Sequence, residues 1–246
     1  MNPPRRAAHA AAQFASASLF LLLTVPASAQ VPCPANYTES LRSGEVESVF
    51  TPAGTDDSMV LLLGGSLLDG SQSWSLQLGE SRNELRTWGV GVPYGLRQSL
   101  ADRFEVTSIV PSAATDGSIR AVLHLNAVFE DKDWKGQSYA PAGTLHAEVL
   151  TSPGNKTEWT LDIAGAPSPT QYLLESHPIQ ITTGGSFEVR WTLSLFDIVG
   201  EATVTAQVEF QALDGSAVEL ISCQGRASHV TAVQGKTWSG IKALFR

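Results

Sequence analysis

The stretch GEATVTAQVEFQALDG, residues 200 to 215, alternates apolar and polar side chains almost without fault. Ala202, Val204, Ala206, Val208, Phe210 and Ala212 fall on one side, and Thr203, Thr205, Gln207, Glu209 and Gln211 on the other. Successive side chains of a strand point to opposite faces, so a period of two marks a β-strand with one face buried. Whether that face meets protein or lipid depends on the rest of the chain.

The same pattern recurs on both sides of it. Trp74, Leu76 and Leu78 share a face, as do Trp88, Val90, Val92 and Tyr94. FEVTSIV (104–110), SIRAVLHLNAVF (118–129) and GTLHAEVL (143–150) follow, then Trp159, Leu161 and Ile163. Phe187, Val189, Trp191, Leu193 and Leu195 precede the opening stretch, and AVELISC (217–223) comes after it. Turn signals such as GGSLLDGS, TDGS, SPGN, TTGG and LDGS separate these runs. About ten to twelve strands at this spacing, without a 3.6-residue period, predict an all-β fold with minimal helix. SRNELRTW and GLRQSLADRF are the best helical candidates, and both are short. No repeat divides the chain, and IAGAPSPT (163–170) reads as a loop within a single domain over residues 30–246.

An outer-membrane barrel would carry aromatic girdles and end on an amphipathic strand. Here aromatics make up 8% of residues, tyrosine numbers 4, and the chain ends GIKALFR without alternation. Apolar faces rich in Ala and Val suit one sheet packed on another. The expectation is therefore an antiparallel β-sandwich, jelly-roll-like or Ig-like, with a soluble or membrane barrel as the alternative.

The first 29 residues read as a cleaved secretory signal peptide. Arg5 and Arg6 give a positive start, FASASLFLLLTV an apolar core shorter than the ~20 residues a span needs, and Ala27 to Ala29 a small-residue cleavage site. The mature chain would begin at Gln30. The arginine pair lacks the flanking context of a twin-arginine signal, and Val31 and Pro32 before Cys33 are not a lipobox. No later run is long and apolar enough to span a bilayer, so the expected location is secreted or periplasmic.

The chain carries 16 basic and 24 acidic residues, a formal charge of −8. Loss of Arg5 and Arg6 makes it −10, which excludes the basic face that nucleic acid or anionic lipid requires. Cys33 and Cys223 are the two cysteines, and in an oxidising compartment they predict a disulfide joining the two ends of the mature chain.

Candidate chemistry is sparse. Gly64-Gly65-Ser66 matches the first half of a nucleophile elbow, but Leu68 stands where its second glycine belongs. His124 and His146 occupy polar positions of two alternating runs and would form a metal site if those strands were neighbours in register. In FEDKDWKGQSY (129–139), Asp131 and Asp133 with Glu130 offer oxygens for Ca²⁺, opposed by Lys132 and Lys135. The plainer reading of this segment is a solvated hairpin tip presenting Trp134 and Tyr139 as ligand contacts. Trp74, Trp88, Trp159 and Trp191 align with apolar neighbours and read as core, which leaves Trp134 and Trp238 at the surface. Asn36 and Asn155 head acceptor sequons that matter only in a eukaryotic secretory pathway.

Asp102, Phe104 and Val106, then Gly117, then the Ala-rich alternating strand give the span from Ser99 to Leu213 a likeness. It resembles the secreted bacterial β-sandwich proteins of the interchangeable-anchor, exosortase-sorted type, without their sorting tail. The resemblance implies a place outside the cell and no catalytic residues. The functional expectation is a secreted, non-catalytic structural or interaction module with an extracellular protein or glycan as partner. A carbohydrate-binding module using aromatics near Trp134 is the alternative, followed by a hydrolase.

Overall fold

The computed structural model describes residues 33–34, 36–42, 45–51, 57–63, 68–76, 78–87, 94–110, 115–134, 137–152, 154–224 and 226–230. Residues 1–29, Ser66, Trp88 and Trp238 lie outside them, and so does the signal-peptide expectation. Strands β1 (Asn36–Arg42), β2 (Glu45–Thr51), β3 (Asp57–Leu63), β4 (Leu68–Ser75) and β5 (Glu80–Thr87) come first. The long β6 (Tyr94–Val110) and β7 (Asp116–Glu130) follow, then the short β8 (Lys132–Trp134) and β9 (Gln137–Tyr139). After them come β10 (Ala142–Thr151), β11 (Asn155–Asp162), β12 (Thr170–Glu175) and β13 (Ile179–Thr182). The chain continues through β14 (Ser186–Ala212), β15 (Ala217–Ser222) and β16 (Ala227–Val230). All pairings are antiparallel, and the described residues contain no helix.

The all-β expectation is met. Both helical candidates are strands: SRNELRTW starts inside β5 and GLRQSLADRF lies in β6. Their period of two is masked because polar side chains point inward. Ser81, Asn83 and Thr87 are buried beside Leu85 on β5, and Gln98 and Asp102 beside Leu96, Leu100 and Phe104 on β6.

Strand β14 organises the fold. Its first part, Ser186–Phe196, pairs with β6, and residues 189–199 pair with β10. From Gly200 onward it pairs with β5 on one edge and, from Glu201, with β7 on the other. Between the two parts the chain turns at Asp197 (φ 52°) and Gly200 (φ 85°). A β-carbon at Gly200 would lie 2.9 Å from the Glu130 carbonyl oxygen, so both the dihedral and the close approach require glycine. Fourteen strands thus form one continuous hydrogen-bonded sheet, curled like a half-barrel through β14, where the sequence suggested two separate sheets. Among the described residues, only the pair β8–β9 stands apart.

One half of the curl is β2-β1-β6-β14-β10-β11, with β15 paired alongside the second half of β6 and β16 paired to β15. The other is β3-β4-β5-β14-β7, edged by β12 and β13. Their apolar faces meet in one core. Phe104 on β6 contacts Phe210 edge-on at 4.6 Å, and Trp191 Nε1 donates to Ser81 Oγ at 3.4 Å. Trp159, expected in the core, is only half-buried, because β11 is an edge strand. It stacks at 4.3 Å on Tyr172 of β12. Leu78, aligned with Trp74 and Leu76 in sequence, is 57% exposed because it lies in the turn after β4.

Cys33 and Cys223 form the expected disulfide, with Cα atoms 5.7 Å apart.

Candidate functional site

The polar face of the opening stretch has a destination. On the second half of the sheet the register places side chains in rows that run across the strands. One outward row is Ser73, Arg82, Thr205, Asn126 and Gln171. The next outward row is Ser75, Glu80, Gln207, His124 and Leu173. Between them run Trp74, Ser81, Ala206, Leu125 and Tyr172, the first four with side chains buried on the core face and Tyr172 on the same face at the edge strand. These rows line a groove of about 980 Å³, and every described residue lining it comes from β4, β5, β7, β12, β14 or the start of the turn after them. Since the middle row is buried inward, the groove belongs to the outer face. Four strand-to-strand steps of ~4.8 Å give it a span of roughly 19 Å.

Its polar groups are bonded to neighbours on the same face. Arg82 pairs with Glu84 at 3.2 Å, and His124 Nε2 lies 3.2 Å from Glu209. Gln207 Nε2 donates to Glu80 at 3.5 Å, and Thr205 Oγ1 donates to the Asn126 carbonyl at 3.3 Å. At the β12 end, Leu173 (52% exposed) supplies apolar surface on the outer face, while the Tyr172 ring turns to the other face and stacks on Trp159.

The structure does not bring His124 and His146 together. Their β14 partners are Gln207 and Ser194, thirteen residues apart with the turn between them, so the imidazoles lie on different halves of the curl. His146 instead meets Glu148 and Glu158, with ligand atoms within 4.8 Å of one another. That trio already has a cation: Lys156 Nζ is 2.7 Å from Glu158 and 3.8 Å from Glu148. The ammonium holds the Glu158 carboxyl below its ordinary range, and the His146 Nδ1 pairs with Thr160 Oγ1 at 3.0 Å.

Within FEDKDWKGQSY, Phe129 and Glu130 end β7, and β8 pairs with β9, with Asp133 opposite Ser138 and Trp134 opposite Gln137. Asp131 is exposed just before it, and Tyr139 is half-buried at its end. The side chains of Asp133 and Trp134 lie outside the described residues, and with them the calcium and tip-contact expectations. None of these residues lines the groove.

A second polar cluster sits beside the disulfide. Asp102 is 1% exposed, and its Oδ1 lies 3.4 Å from Cys223 Sγ. Burial pushes its pKa up to about 7, against the opposing pull of a hydrogen bond from Ser222 and the nearby Arg226 charge. The Arg226 guanidinium donates to the Val208 carbonyl at 2.6 Å and fills the place a side chain at Gly79 would take. Sequence reading missed both this cluster and the groove, since each joins residues more than a hundred positions apart.

No family model matches the chain, and no curated protein matches it. Among solved structures it is similar to the crystal structure of the bacteriophage CBA120 tailspike protein 4 enzymatically active domain, at 12% identity and a TM-score of 0.27. That match covers 72% of this chain and 19% of the other.

Proposed function

We propose that the protein is an exported, non-catalytic interaction module that works at the cell exterior through the groove on the outer face of β4, β5, β14, β7 and β12. The groove itself carries the reading. It is large, crosses five strands and is lined by side chains that form hydrogen bonds without any evident reactive group. A hydrolase needs a nucleophile in contact with a base. His124 has Glu209 to orient it, but Ser75 in its row is three strand steps, or roughly 14 Å, away. The hydroxyl of Thr205 on the adjacent strand is committed to a backbone carbonyl. Export is supported by the leader-like first 29 residues, by the disulfide and by the resemblance to anchor-bearing secreted proteins.

The test has two parts. N-terminal sequencing of the mature protein should begin at Gln30. The mature protein should then be retained on intact envelopes of the producing cell. Thr205→Trp, which fills the middle of the groove from an outward position, should abolish retention without changing the fold. Retention by the variant equal to that of the parent, or turnover of ester or glycoside substrates that His124→Ala removes, would overturn the reading.

A further inference from the structure

We infer that the groove takes a neutral, polyhydroxylated chain, a glycan, lying across the strands. This deepens the interaction-module reading and rests on it. Direction is the first reason. The main-chain groups of β5, β14 and β7 beneath the groove are already paired on both sides in the sheet ladders, and β12 is paired on its β7 side. A peptide adding to a sheet runs parallel to an edge strand and uses that edge's free backbone groups. A ligand that crosses five strands meets side chains only, so it must bring its own regularly spaced donors and acceptors.

Lining chemistry is the second. Asn126 and Gln171 are exposed amides, each both donor and acceptor, and Ser73 and Ser75 add hydroxyls. Sugar hydroxyls have the same dual character, so either partner can supply the proton in each contact. The third reason is charge. Arg82 is already paired with Glu84, and the Glu80 carboxylate has the neutral Gln207 amide as its partner in the groove. A polyanion would have to displace Glu84 from Arg82 and would meet the Glu80 carboxylate, and a neutral chain would do neither. The fourth is the apolar end. Leu173, 52% exposed in the same outward row as His124, offers an apolar contact for the C–H face of a sugar ring.

The experiment is calorimetric titration of the full mature chain with neutral gluco-, manno- and galacto-oligosaccharides of increasing length, and with a polyuronate. At least one neutral series should bind, gaining affinity with length until it fills the ~19 Å span and then levelling off. The polyuronate should bind no more tightly than its neutral counterpart. Asn126→Ala with Gln171→Ala removes two exposed side chains, and should weaken binding by about tenfold or more at unchanged melting temperature. Absence of binding by every neutral series, or equal binding by parent and double variant, overturns the inference. The two failures are separable. If Thr205→Trp abolishes envelope retention while protease treatment of the envelopes does the same and oligosaccharides do not compete, the glycan falls and the interaction reading stands. If Thr205→Trp has no effect on retention, both fall.

Discussion

Replacing Asp102 with Asn should change how stability depends on pH. The carboxyl is 1% exposed on the core face of β6, and burial raises its pKa from 3.8 to about 7. A carboxyl with a raised folded-state pKa binds its proton more tightly folded than unfolded. Its contribution is therefore fully present below about pH 4 and is lost as pH rises through about 7. Three pKa units at ~1.4 kcal/mol each set the whole effect at roughly 4 kcal/mol, of which 2–3 kcal/mol falls between pH 5 and 8. Glu158 and Asp214 are shifted downward and act the other way, but only below their ordinary values of 4.5 and 3.8, outside that window. Asn keeps the shape and an acceptor for Ser222, and leaves Arg226 without its buried counter-charge at every pH. Absolute stability thus mixes two effects, and the slope isolates one. Urea unfolding from pH 5 to 8 at fixed ionic strength should show the parent losing stability with pH, and the variant gaining on it by 2–3 kcal/mol. Parallel curves would mean that Asp102 is solvated or fully paired, and the argument would fail.

Gly79 has φ +69°, and a β-carbon there would lie 1.7 Å from Arg226 Nη1. Gly79→Ala should destabilise by more than the ~1 kcal/mol of the left-handed backbone alone, and by only about that in an Arg226→Ala background. Equal costs in both backgrounds, measured by chemical unfolding, would show that the guanidinium does not occupy that space. The Cys33–Cys223 bridge spans 190 residues, so replacing both cysteines with Ser should cost up to about 5 kcal/mol on the chain-entropy account. Coincident urea midpoints for the oxidised parent and the double variant would refute it.

Period-two alternation made most strands legible, because it reports which side chains share a face. It fails on β5 and the first half of β6, where Ser81, Asn83, Gln98 and Asp102 sit inside and break the contrast between faces. It also separated residues 187–195 from 200–215, which the structure joins in one 27-residue strand. The turn at Asp197 to Gly200 interrupts the pattern without ending the hydrogen bonding. At the site, Thr205 and Gln207 could be assigned to an outer face from sequence, but their neighbours could not.

The sequence alone determined the all-β class, the faces of β7, β10 and β14, and the cysteine pair, because each depends on local pattern or on a count of two. The tertiary structure alone decided that His124 and His146 stand apart, that Lys156 occupies the acidic trio, and that two polar rows line one groove. Those facts depend on which strands pair and in what register. Pairing is a long-range choice made by the whole core, and no local stretch of residues contains it.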